Sequence, residues 1–202
     1  GSMNSQTRDL DGEMKKTDSG AVFTGVDFAR EEKNDDIYIM TAQAKDWSGN
    51  TITKSILFSV NRFGSAYRLG DSTKALLGQF VSTEQDVVIY EVNADELKEN
   101  GVKITKDGKT LTLTENEDYT VSHTGGNGKW SEYEYVIDSK NFIDDGAYSV
   151  TVTSQDKAGN LNDNSSDRSK LDINFGVDKT NPLCSTLDLH ENESFKAESK
   201  EF

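Results

Sequence analysis

Cysteine, proline and histidine are nearly missing from this chain, and each shortage removes a class of explanation. One cysteine, Cys184, stands among 202 residues, so no intramolecular disulfide can form and the fold must stand on its core. Two histidines, His123 and His190, and that single thiol are too few for a structural zinc site. They also leave little from which to build a nucleophile beside a base, so the chain reads as no enzyme. Positive charge is short as well. Lys and Arg number 22 against 36 Asp and Glu, a formal net charge of −14, which repels nucleic acid and anionic membrane surfaces. No apolar run approaches the ~20 residues that span a bilayer, and no signal peptide is visible. The leading Gly1-Ser2-Met3 reads as an expression scar. The acidic balance suits a soluble, extended surface protein and is compatible with calcium or a basic partner.

What is present is β pattern. Hydrophobic residues make up only 33% of the chain, yet seven Tyr, nine Phe and two Trp exclude wholesale disorder. In AYSVTVTSQ the side chains of Tyr148, Val150 and Val152 fall on one face and Ser149, Thr151 and Thr153 on the other. IYIMTAQAK places Tyr38, Met40 and Ala42 together, about 110 residues earlier. The same offset relates Asp46 to Asp156 and Gly49-Asn50 to Gly159-Asn160. A second apolar strand follows each Gly-Asn turn: Ile52, Ile56, Phe58 and Val60 in the first copy, Leu171, Ile173, Phe175 and Val177 in the second. Each copy is therefore a hairpin. Between them, DVVIYEV, KITKDGKTLTLT, DYTVSH and KWSEYEYVI read as further strands, and NADELKEN as one helical turn capped by Asn93 or Asp95. Short strands divided by turns, without a βαβ rhythm, imply an all-β sandwich.

Asp144-x-Gly146-x-Tyr148-x-Val150 spells a tyrosine corner, in which the Tyr hydroxyl returns to upstream backbone; Tyr38 sits in a looser version, Asn34-x-Asp36-x-Tyr38-x-Met40. YSVTVTSQDKAGN, a strand, and then FGVDKTNP resemble the tandem immunoglobulin-like repeats of bacterial, especially Firmicute-type, cell-surface proteins. The resemblance implies immunoglobulin-like β-sandwich modules in tandem without a disulfide. It also implies an extracellular, cell-wall or cell-surface setting and a spacer or adhesion role. The divisions expected are a tag and lead-in over 1–19, a partial module carrying C-terminal strands over 20–63, a complete module over 64–178, and a linker opening a further truncated module over 179–202. The complete module spans about 115 residues, close to the ~100 of an immunoglobulin-like domain. An alternative is direct binding of a host protein, such as an immunoglobulin or matrix component, and a third reading is a carbohydrate-binding module.

Trp130, on the face of its strand opposite Tyr133 and Tyr135, is the candidate anchor for a ligand, with those two tyrosines completing an aromatic platform. Asp163 and Asp167, in an Asn/Asp-rich loop, are candidate calcium ligands, although Asx residues more commonly serve turns. Calcium is the one cofactor the sequence admits. Trp47 is expected to cap the end of a sandwich, and Phe63 with Tyr67 to pack between modules. Met40, Ile56 and Phe58 are expected to lie uncovered in the partial module, where residues 183–202 of a neighbouring chain could add strands and form a complemented oligomer.

Overall fold

The structure is a computed structural model that describes residues 13–18, 20–24, 28–166 and 168–180. In chain order its elements are β1 (Glu13–Thr17), β2 (Gly20–Thr24), β3 (Asp36–Lys45), β4 (Thr51–Val60), β5 (Ala66–Leu69), α1 (Asp71–Leu76), β6 (Phe80–Val81) and β7 (Val87–Asn93). They continue as β8 (Leu97–Lys106), β9 (Lys109–Thr112), β10 (Tyr119–Thr124), β11 (Ser131–Ile137), β12 (Gly146–Asp156), β13 (Leu161–Asp163) and β14 (Ile173–Val177). Strand dominates, as the alternating pattern demands.

Two hairpins stand first, β1 with β2 and β3 with β4. Two larger sheets follow. One runs β10-β11-β7-β5; the other runs β6-β14-β12-β8-β9, with β13 also on β12. Burial alternates strictly along β7 and β11 and through most of β12. Val87, Ile89, Tyr133, Tyr135 and Ile137 from the first sheet meet Val102, Ile104, Tyr148, Val150, Val152, Ile173, Phe175 and Val177 from the second in one buried cluster. Period-2 patterning puts these residues on inner faces, and their burial supplies the main favourable term of folding. Phe142 is fully buried beneath the sheets and meets Tyr148 and Phe175 edge-on, at centroid distances of 5.3 and 5.1 Å. Such contacts add to the area the rings bury.

Two local readings need correction. NADELKEN forms no helical turn: Asp95 N–H is taken by the Asn93 side chain at 2.8 Å, and β8 begins at Leu97. The same side-chain-to-backbone chemistry that caps a helix here closes a bend between β7 and β8. The short helix lies instead at α1, where Leu76 and Thr73 are buried and the Thr73 hydroxyl accepts from Val88 N–H at 2.7 Å. Second, Phe58 and Met40 are half-buried rather than uncovered. Phe58 stacks on Tyr38 at 5.7 Å, and Phe28 packs against both rings. Ile56 is exposed on the same hairpin. The tail expected to complement it, residues 183–202, lies outside the described residues.

Both tyrosine hydroxyls reach upstream backbone. Tyr148 donates to the Asp144 carbonyl at 2.7 Å and Tyr38 to the Asn34 carbonyl at 2.9 Å. Tyr148→Phe removes one such bond without changing the ring, so it should lower stability by about 1 kcal/mol. The check is urea unfolding: a lower midpoint with an unchanged slope is expected, and identical midpoints would show that the bond contributes nothing.

Candidate functional site

The densest polar constellation lies where the β3–β4 hairpin meets the two-sheet body, around the linker 61–65. Val60 ends β4 and Ala66 begins β5, so these five residues carry the chain from the hairpin to the two-sheet body. The Asn61 side-chain amide nitrogen has acceptors at Asn93 Oδ1 (2.8 Å), Asp156 Oδ2 (3.0 Å) and Asp95 Oδ2 (3.1 Å). From the other side, Asn160 Nδ2 donates to the Asn61 carbonyl at 3.1 Å and to Asn61 Oδ1 at 3.3 Å. Asp156 is almost fully buried. Its Oδ2 also accepts from Asn93 Nδ2 and Asn160 Nδ2, and its Oδ1 from Asn160 N–H at 2.9 Å. A buried carboxylate is thus held by amide N–H groups alone, each a neutral donor.

Further ties flank this centre. Ser59 Oγ donates to Asp95 at 2.6 Å, and buried Asp35 takes the N–H groups of Arg62 and Phe63 on one oxygen. The other oxygen of Asp35 is buried without a hydrogen-bond partner. Trp130 Nε1 donates to Asp36 Oδ1 at 2.8 Å, joining the segment just before β11 to the start of β3. Leu57 lies against Gly128, where a Cβ would come within 2.4 Å of its methyl; with φ at +84° as well, only glycine suits that position. Phe63 is half-buried between the guanidinium groups of Arg30 and Arg168, at 5.9 and 5.8 Å. Arg168 also donates to the Gly64 carbonyl at 2.6 Å.

The linker connects to the core through a hydrogen-bonded chain. Asn93 Nδ2 donates to Ser65 Oγ at 2.8 Å, and Ser65 Oγ donates to Glu91 Oε1 at 2.5 Å. Glu91 is fully buried; Ser154 also donates to its Oε1, and Tyr135 donates to its Oε2 at 2.8 Å. The three hydroxyls point their protons at the carboxylate, while the two serines accept from Asn93 and Asn162. Both oxygens of the Glu91 side chain thus accept from a hydroxyl, and both serine oxygens accept in turn. Burial, and then the Glu91 charge, hold the Tyr135 and Tyr67 hydroxyls far above the ordinary tyrosine value; burial also raises Tyr133, Tyr119 and Tyr148.

These positions revise the expected sites. Tyr133 and Tyr135 face the core, 7% and 0% exposed, while Trp130 is committed to the junction. The three therefore form no shared platform: Tyr133 and Tyr135 are buried in the core from β11, whereas Trp130, just before that strand, bonds Asp36 of the hairpin. Trp47 caps nothing among the described residues and is fully exposed at the hairpin tip. Tyr67 packs on the sandwich core rather than between units. Asp163 Oδ1 accepts from Ser165 N–H and Oγ, at 2.7 and 2.6 Å, in a local turn, and Asp167 lies outside the described residues. Among the described residues no group of three or more His, Cys, Asp and Glu is arranged to hold a metal ion. His123 stacks flat on Tyr133 at 4.3 Å. A second concavity, of about 380 Å³, lies on the outer face of the six-stranded sheet, where exposed Phe80 rests on Gly176. The junction itself escaped sequence reading because Asn61, Asn93, Asp95, Asp156 and Asn160 each look like ordinary turn residues. Only the fold brings them together.

No protein-family model matches this chain, and no curated protein matches it in sequence.

Two outcomes test the arrangement. Glu91→Gln keeps the shape but turns an amide N–H₂ toward hydroxyls that now donate, so it should cost about 2 kcal/mol in chemical denaturation. Retention of the parent's stability would mean that the three hydroxyl bonds to Glu91 contribute nothing. The second outcome concerns alkali. Tyrosines whose folded values are raised contribute stability that is complete below their unfolded value, ~10, and is lost as pH rises above it. Absorbance at 295 nm should therefore show most tyrosines ionising together with loss of the folded circular dichroism. Smooth ionisation of all seven near ~10 in a folded chain would contradict their burial.

Proposed function

We propose that this chain is a non-enzymatic, extracellular segment of a bacterial cell-surface protein, built from immunoglobulin-like units joined end to end and acting as a directional spacer. The sheet orders support the immunoglobulin-like reading. With β5, β7, β8, β10, β11, β12 and β14 taken as A to G, one sheet runs A-B-E-D and the other holds G-F-C, the arrangement of such domains. β6 then pairs parallel with β14, beside the start of the body. The repeated hairpin with its tyrosine-to-backbone bond supports a second unit of the same kind at residues 28–60.

The observation that carries the spacer reading is the bonded linker. A flexible tether would leave its side chains in water, whereas here the Asn61 and Ser65 side chains bond the two-sheet body and the Arg62 side chain bonds the Phe28 carbonyl on the other side. Directional bonds fix orientation in a way that an apolar contact, indifferent to rotation, does not. The described residues contain no helix long and apolar enough to cross a membrane, in keeping with a role outside the bilayer for this segment.

Residual dipolar couplings test the proposal. One alignment tensor should fit residues 36–60 and 66–177 together in the parent, and Asn61→Ala should separate the two. Independent tensors in the parent would refute the spacer reading. A host-protein binder is the second reading, favoured by Phe80, 76% exposed beside the concavity on the outer sheet face. Retention of a serum or matrix protein by the immobilised chain, lost on Phe80→Ala, would support that reading instead.

A further inference from the structure

The two Asp-to-Asn turns are the same structure in different surroundings. In the first, Asn50 N–H and Nδ2 each donate to the Asp46 carboxylate at 2.8 Å; in the second, Asn160 makes both bonds to Asp156 at 2.9 Å. Backbone bonds agree as well: Asp46 N–H to Asn50 carbonyl at 2.9 Å against 3.1 Å, and Gly49 N–H to Asp46 carbonyl at 3.1 Å against 3.0 Å. Gly49 and Gly159 share a φ near +90°, at 91° and 92°. What differs is the occupant. The second turn grips Asn61 through Asp156 Oδ2 and Asn160 Nδ2. The first turn is exposed throughout residues 46–50.

We propose that the tip of the β3–β4 hairpin is a docking site for the strand-end linker of another unit of this kind, a segment with Asn at the position of Asn61. The occupied copy defines the chemistry. Asp46 Oδ2 accepts from the incoming side-chain amide, and Asn50 Nδ2 donates to that residue's carbonyls. Bonds from Asn50 hold the Asp46 carboxyl below its usual value, so it is an ionised acceptor at neutral pH. The position of Trp47 is taken in the second turn by Lys157, which lines the groove with Val60, Asn61 and Arg62. An indole there would lie beside the incoming Val and Arg, with its face open to the guanidinium. This accounts for a tryptophan placed 107% exposed at a turn. Selectivity follows from the donor. Aspartate in place of the incoming Asn brings a carboxylate against Asp46, and this chain's own second linker carries Asp178 after Val177, where the first has Asn61 after Val60. The partner is therefore an Asn-bearing linker rather than the end of a second copy of this chain.

The inference rests on the tandem-unit reading but fails separately from it, since the dipolar couplings concern the joint inside the chain and not the hairpin tip. The test titrates the whole ¹⁵N-labelled chain with a synthetic peptide of residues 59–65 (SVNRFGS) and follows amide shifts. Saturable shifts at Asp46–Asn50 and at the Trp47 indole N–H are expected, in the millimolar range typical of a short segment detached from its tether. The peptide with Asp for Asn, and the Asp46→Ala chain, should each bind roughly tenfold more weakly. Trp47→Ala, which leaves the Asp-Asn turn in place, should also weaken binding and guards against a loss caused only by an opened turn. No shift at about 10 mM peptide, equal binding of the Asp peptide, or shifts that map elsewhere would overturn the proposal.

Discussion

The Asn61 amide nitrogen is the contact on which the junction depends. It lies within hydrogen-bond reach of three side-chain oxygens, two of them on carboxylates, in a chain whose acidic residues far outnumber its basic ones. Two carboxylates near one point repel unless something positive or hydrogen-donating lies between them. Here that something belongs to the linker. The donor that relieves Asp95 and Asp156 is thereby the donor that fixes the linker. Remove it, and buried acceptors lose a partner while the linker loses its hold, so the energetic and geometric effects coincide. A lysine would offer a stronger charge, but on a long stem that must lose more freedom to hold one position.

From that point the network runs inward. Asn93 passes the connection to Ser65, and Ser65 to Glu91, which Tyr135 and Ser154 enclose. A buried carboxylate without a cation is costly unless its lone pairs are satisfied. It is satisfied here partly by Ser65, the residue immediately before β5. Completing the core of the body therefore requires the linker's last residue to be in place. The two-sheet body and its entry point are ordered by the same bonds.

The strands were legible because burial on one face leaves a period-2 trace: Tyr148, Val150 and Val152 could be assigned inward from spelling alone, and they are. The duplicated turns were legible because one local bond pattern needs the same residues in both copies. Other parts left no local trace. β5 and β6 are too short to show a period, and α1 is a six-residue helix whose Gly70 cap makes no side-chain bond. Trp130 stands just before β11, and an outward reading did not by itself make it free. An outward side chain is free only if nothing docks on that face, and Asp36, distant in sequence, does. The junction was the least legible feature. Its bonds connect residues as far apart as Asn61 and Asn160, each with an equally good local reading as a turn residue.

That ambiguity follows from how such a joint is made. Asn and Asp serve turns because their side chains bond nearby backbone, and a turn holds its Asx group in a defined direction. An amide or carboxylate satisfied locally by one atom still has lone pairs or a second N–H to offer. Asp156 uses Oδ1 for its own turn and shares Oδ2 among Asn61, Asn93 and Asn160. Local closure positions the group, and the spare capacity makes the contact between units. A turn of this type is thus a formed half-site before any partner arrives, so little ordering cost remains when one docks. A hairpin and a two-sheet body can thus be held in a fixed relation by hydrogen bonding without a large apolar face on either one.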